Sequence, residues 1–424
     1  MSSTFIRNAR IATTGDTIDI LLSPDGIIEQ IGHSGSMKQP EGVSIIDATG
    51  DLIIPGLFDL HVHLDQTGHE ARECIQTASP AALQGGITGF QVMPDCASTL
   101  DNAAQIAAFM DACHQESPLD IVPSGSITKG MLGEEQVSYD SLRAQSVHFI
   151  TDADHIPENL LLLHRAMQYA GQLGMTFALR GDVPALTAKA TIHPGTTAYI
   201  LGLTGAPSCA EEIGLETVIR LSDDTGNTLH VQTVSTARSA NIIHRWKAKG
   251  NKMSAEVALH HLIFTHEDVG DYNTTFKTLP PLRDQQDTLA LIDAIKDGTI
   301  DCIVTDHTPC KPFAKKQDFI MAPQGMIGLD TFLPALHHYL IKQGHLTWTD
   351  IVKTCSDKPR QLVGLPPIQL QKGQKANFVL FSPEETTKVT EQFLKSRAKN
   401  SPFLDQKLDG KVKSVFLNNS IHQF

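Results

Sequence analysis

The feature that most constrains this chain is an alternation between residues 55 and 370. Eight short apolar runs recur there, at 57–63, 87–93, 121–126, 147–151, 175–179, 229–234, 253–259 and 300–305. Between them lie stretches with helical apolar spacing, such as 158–173, 210–221, 236–249 and 283–296. Continuous apolar runs read as strands buried on both faces, which is what a parallel sheet covered by helices requires. Gly174 and Gly298 stand where two of the helices should stop. Eight strand–helix units predict an α/β fold, a closed (β/α)8 TIM-type barrel rather than an open sheet. The flanks read differently. Segments 4–11, 17–22, 27–31 and 43–47, and at the other end 376–381 and 412–417, are β-rich, with turn signals such as Pro24-Asp25-Gly26 between them. A small β-domain built from both termini, 1–54 plus 371–424, is expected beside a barrel over 55–370.

Composition narrows the class of partner. The chain has 34 Lys+Arg against 47 Asp+Glu, a net charge of −13, and no basic cluster, which argues against a nucleic-acid partner. No run approaches the roughly 18 apolar residues of a membrane span. Residues 1–7 lack the layout of a signal peptide. The seven cysteines are scattered and never form a C-x-x-C pair, which fits reduced thiols in a cytoplasmic protein.

Nearly every apolar run ends in polar residues, where barrel chemistry sits. His61 and His63 are two apart on a strand, so they share a face. Alone such a pair is a weak signal. Joined to Asp306-His307 at the end of the eighth run, it becomes a donor set for zinc or iron. The pairs His260-His261 and His337-His338 read as packing or helix-surface residues, Gly85-Gly86 as a tight turn, and Lys315-Lys316 as a solvated loop face. His69 is a stray candidate ligand in the loop after the first strand. G-x-S-x-G, P-loop and G-x-G-x-x-G signatures are missing from the sequence.

At this point the chain resembles the amidohydrolase superfamily, and within it the dihydroorotases of the longer, cyclic-amidase-like type. The motifs run along the whole chain: P-G-L-F-D-L-H-V-H-L (55–64), Q-G-G-I-T-G-F-Q-V-M-P (84–94), L-G-L-T-G-A-P (201–207), H-V-Q-T-V-S-T (230–236), A-E-V-A-L-H-H-L (255–262), P-P-L-R (280–283) and D-G-T-I-D-C-I-V-T-D-H-T-P (297–309). The resemblance implies a metal site at the strand ends and hydrolysis of the ring amide of dihydroorotate, with the strand-eight Asp moving the proton.

Carried over by position, the resemblance makes His61, His63 and Asp306 metal ligands, with Asp306 as base, and Asp152, or its neighbour Asp154, the strand-four carboxylate. The strand-five and strand-six imidazoles are replaced by Arg180 and Thr233. Arginine stays protonated and cannot ligate a metal. Its charge could stand in for a second ion by pairing with Asp152 or Asp306. All four substrate-binding positions also differ. Asp65 stands where the family has a carboxylate-clamping Arg, Asp95 and Leu279 where it has Asn, and Cys310 where it has His. Two acids are thereby expected to repel the substrate's carboxylate. Cys310 more simply fills the space of the lost imidazole than acts as a nucleophile.

The sequence therefore favours a catalytically deficient dihydroorotase homologue of pyrimidine biosynthesis, holding at most one zinc or none. The resemblance implies for it a structural partnership with aspartate transcarbamoylase, and a homodimer is expected. The alternative is a working mononuclear zinc cyclic amidohydrolase that interconverts dihydroorotate and carbamoyl aspartate.

Overall fold

A computed structural model describes residues 3–66 and 72–424. His69 lies outside the described residues. The eight barrel strands are Leu57–Val62, Ile87–Val92, Asp120–Pro123, Phe149–Ile150, Thr176–Arg180, Thr228–Gln232, Met253–Ala258 and Cys302–Val304. Every ladder between neighbours is parallel. The ladders form one group of three strands and one of five. Two isolated bridges, Gly125 with Ile150 and Val62 with His307, close the seams into a barrel. At the second seam the His307 N–H donates to the His61 carbonyl (3.2 Å) and the His63 N–H to the His307 carbonyl (3.0 Å). The histidine pair of the first strand is thus stitched by backbone to the end of the eighth.

Helices shield the outer face. Those at Ala103–Glu116, Leu160–Gln172, Ala237–Ala248 and Gln285–Lys296 begin at Asn102, Asn159, Thr236 and Asp284, whose side chains accept the first free helix N–H groups. The main core packs these helices on the outward strand residues, such as Phe177, Leu179, Leu229, Val231, Val257 and Ile303. A second apolar cluster, Phe58, Leu60, Phe149, Ala178, Ala258, Cys302 and Val304, is drawn from five barrel strands and fills the interior.

The terminal segments make one eight-stranded sheet with its own core of Ile6, Ile20, Ile53, Phe378 and Phe416 among others. Its central antiparallel pairing joins Leu52–Pro55, from the N-terminal segment, to Asn377–Lys388, from the C-terminal one. Residues 389–406, between the last long strands, leave this sheet. Leu394, Ala398 and Phe403 enter the barrel's core. The Ser396 hydroxyl donates to Asp330 (2.5 Å), and Asn400 bonds the Thr308 and Gly325 carbonyls and the Cys310 N–H. This excursion fixes the loop that follows strand eight. All seven cysteines are unpaired thiols. Among the described residues, no helix is long and apolar enough to cross a membrane.

Candidate metal centre

Strand one carries three polar side chains into a buried setting, and each must find a partner. Asp59, fully buried, accepts from the His61 N–H (3.2 Å), the Thr305 N–H (3.1 Å) and the Thr305 hydroxyl. It ties strand one to strand eight just below the site. Burial, only partly opposed by these bonds, pushes its carboxyl up to about 6. The strand slips register between Asp59 and Val62, an irregularity of the kind that re-aims side chains beside active sites.

Each ligand histidine is held by a carboxylate. His61 Nδ1 lies 2.5 Å from Glu256 Oε1, and Glu256 Oε2 lies 2.9 Å from His230 Nε2. His63 Nδ1 lies 2.9 Å from both Asp95 oxygens. Carboxylates on Nδ1 hold a proton there, so Nε2 is the nitrogen each ring offers to an ion once the ring is neutral. Both Nε2 atoms turn to Asp306 Oδ1, at 3.8 and 4.0 Å. His61, His63 and Asp306, all buried, present donor atoms within 4.8 Å of one another. Two neutral-capable imidazoles and a carboxylate, oriented from behind, fit a zinc-type ion. Beyond them His260 Nε2 faces Asp306 Oδ2 at 3.7 Å, with no hydrogen-bond partner.

The electrostatics follow from this packing. Burial pulls the His61 imidazolium down, but the Glu256 charge and hydrogen bond override it and push the group up to about 9. Burial opposes Glu256 ionisation, yet His61 and His230 hold that carboxyl down to about 2. Burial raises Asp306 to about 6 despite the nearby imidazoles.

Two expectations are corrected. Asp152 does not join the donors. Its Oδ1 accepts from the Ile127 and Thr128 N–H groups (2.7 and 3.0 Å) and its Oδ2 from the Thr128 hydroxyl (2.6 Å), so its oxygens are taken up by the loop after strand three. Ala153, at φ 51°, turns the chain so that Asp154 is the acid beside Arg180. Arg180, buried to 5% exposure, gives Nη1 to Asp154 Oδ1 (2.8 Å) and Nη2 to the Asp154 carbonyl (3.2 Å), not to Asp152 or Asp306. Thr233, buried at φ 45°, keeps a strained left-handed backbone at the end of strand six although its side chain is no strong ligand.

The substrate positions also differ from expectation. Asp65 and Asp95 are not bare negative charges. Arg72 gives Nε to Asp65 (2.5 Å) and its backbone N–H to the same carboxylate (2.8 Å), with a second guanidinium nitrogen 3.8 Å from Asp95. His63 Nδ1 supplies a further hydrogen bond to Asp95. The sign reversal read from the sequence is therefore largely neutralised within the protein. Cys310 is buried and its thiol is pushed up by burial, the opposite of an activated nucleophile. Leu279, with Pro280, Arg180, Asp152, Asp154 and Gln324, lines a cleft of about 850 Å³ beside the donors, a size suited to a small molecule.

This arrangement has relatives. Residues 50–239 match the family model described as dihydro-orotase-like. The chain is 36% identical over 381 residues to the dihydroorotase of Pelotomaculum thermopropionicum, covering 90% of this chain and 89% of that one. It is 33% identical over 424 residues to the dihydroorotase of Mycobacterium leprae, covering 99% and 98%. The chain belongs to the dihydroorotase family. Its fold also matches the solved L-hydantoinase (dihydropyrimidinase) of Arthrobacter aurescens with a TM-score of 0.86 at 21% identity, covering 99% of this chain and 96% of that one. That likeness shows that the two chains share the fold.

Sequence reasoning missed four polar residues of this centre: Asp59, Arg72, His230 and Glu256. Three carried a usable signal. Asp59, His230 and Glu256 each lie in or at the edge of an apolar strand run, where a charged or polar group needs a partner. Arg72 stands seven positions after Asp65 in the sequence, and spacing alone does not bring the two together.

Proposed function

We propose that this protein is a cyclic-amide hydrolase of the dihydroorotate class, acting in pyrimidine biosynthesis with one divalent ion, zinc by preference, held by His61, His63 and Asp306. One observation carries the reading. Both histidines are locked through Nδ1 by buried carboxylates, so both Nε2 lone pairs face the same carboxylate oxygen. A site released from its chemistry has no need of that backing. A divalent ion there would polarise an amide carbonyl and lower the pKa of water. The chain's own residues do the rest. Asp306, which faces both imidazoles from the end of strand eight, accepts the proton of the attacking water and returns it to the leaving ring nitrogen. Asp95 and Glu256 keep the imidazoles in the ligating tautomer. Arg180, on the cleft wall and paired with Asp154, is the guanidinium placed to meet an anionic ring substituent. The relatives, named dihydroorotases, support this reading over the deficient one that the sequence favours.

A second reading keeps support from one specific observation. Arg180 and Thr233 fill the places of two imidazoles, and Asp152 is sequestered, so a second ion has lost its donors. On that reading the barrel is a cytoplasmic structural partner of aspartate transcarbamoylase, free of turnover and assembled as a homodimer. Purified protein assayed on dihydroorotate and carbamoyl aspartate, with and without a chelator, separates the two. Chelator-sensitive turnover supports the enzyme. Absence of turnover from protein loaded with its ion, with a stable complex on mixing with the transcarbamoylase, supports the scaffold.

A further inference from the structure

We propose that His230 is a positioning residue of the metal centre, acting on His61 through Glu256 from inside the barrel. This rests on the single-ion reading above and deepens it. Neighbouring strands build the chain of contacts. Ser254 and Glu256 stand two apart on strand seven, so both side chains leave the strand on one face. His230, on strand six, pairs with Ser254 in the parallel register of the two strands. Its Nδ1 lies 2.7 Å from Ser254 Oγ and its Nε2 lies 2.9 Å from Glu256 Oε2. The other oxygen, Glu256 Oε1, lies 2.5 Å from His61 Nδ1. Ser254, His230, Glu256 and His61 are all buried.

Two features separate positioning from packing. The first is the shape of the contact. A carboxylate only accepts, so His230 must give its Nε2–H to Glu256, which leaves Nδ1 to the Ser254 hydroxyl. Phe149 also meets the ring edge-on, with centroids 5.5 Å apart. A ring held at both nitrogens and along one side cannot swing. It therefore pins Glu256 Oε2, and with it the direction of Oε1. The second feature is the lack of any substitute. Asp95, which backs His63, has a side chain 22% exposed that water can reach. The Glu256 side chain is 1% exposed, and an unpaired carboxylate oxygen there is costly. Without His230 the carboxylate turns about its last bond to satisfy that oxygen, and its hold on His61 loosens. The His61 Nε2, 3.8 Å from Asp306 Oδ1, then loses its fixed aim.

The test uses the full-length protein. Zinc affinity is measured by competition with a chromogenic chelator for the wild type, H230L and H230Q, and cobalt(II) absorption is recorded on each. Melting shows which variants are folded. H230L is expected to weaken zinc about 10-fold, the lower end of what supporting partners contribute, because it acts one residue further from the ion. Its cobalt bands should shift. H230Q returns an N–H to Glu256 and should recover most of the affinity and the wild-type bands. The wild type also answers without any variant. In nitrogen-15 histidine spectra, zinc should shift the His230 Nε2 signal and leave that of His164, paired with Asp224, in place. A folded H230L with wild-type affinity and bands, a folded H230Q as weak as H230L, or a His230 signal unmoved by zinc would overturn the assignment while leaving the single-ion reading intact. A wild type that takes up no zinc would overturn both.

Discussion

Replacing Glu256 by Gln tests the carboxylate support of the site. Glu256 is fully buried and serves two rings at once, His61 Nδ1 at 2.5 Å and His230 Nε2 at 2.9 Å. Gln has one acceptor oxygen and one NH2 group, so one ring must now receive a hydrogen bond. If the amide faces His61, the proton moves to Nε2 and the lone pair needed by an ion is lost. If it faces His230, that ring can turn its other proton to Ser254 Oγ, 2.7 Å from Nδ1, and His61 survives with a weaker partner. The second arrangement is the less damaging, so the expected loss is that of a supporting residue rather than of a ligand. That is about 10- to 100-fold in metal affinity, or roughly 1.4–2.7 kcal/mol. E256L, which holds neither ring, should lose more. The assay is chelator competition on protein shown by melting to be folded. Wild-type affinity in both folded variants would refute the argument that carboxylate backing sets the imidazoles.

Three further outcomes follow from the same geometry. D152N should leave metal uptake unchanged but lower urea stability by about 1–3 kcal/mol, because the carboxylate accepts from three donors of the preceding loop and binds no ion; a fall in metal stoichiometry would reinstate Asp152 as a ligand. The double variant R180H/T233H restores an imidazole at strands five and six and should raise zinc uptake towards two ions per chain by elemental analysis; a value unmoved from the wild type would show that more than those side chains was lost. His193, lowered to about 4 by burial and by the Arg283 and His266 charges, stays neutral in the fold after the unfolded chain has taken up its proton near 6.5. Its contribution is therefore full above about pH 6.5 and falls as pH drops towards 4, so H193Q should flatten the acid loss of the urea midpoint between those values; an unchanged slope counts against it.

How much was legible in the sequence divides along a physical line. The barrel was, because strands buried on both faces leave unbroken apolar runs and all eight runs begin within two residues of the observed strand. The pairing of His61 and His63 with Asp306 was readable because all three stand at strand ends, where topology alone brings them together. The strand-four acid was not. A single left-handed residue, Ala153, decides whether Asp152 or Asp154 faces Arg180, and pattern gives no warning of it. Charge at the mouth was misread for a related reason: Asp65 and Asp95 look repulsive until Arg72 is placed against them. The return of 389–406 to the barrel was hidden too, since its contacts to Asp330, Thr308 and Gly325 span long stretches of chain.

The central claim is that one ion, and only one, is held at the mouth of this barrel. Equilibrium dialysis of the purified full chain against zinc, with metal counted per chain and ring opening of dihydroorotate followed on the same samples, tests it most directly. The account predicts uptake that levels at one ion, with turnover rising in step and vanishing with a chelator. Uptake levelling at two, or none at all, would contradict it.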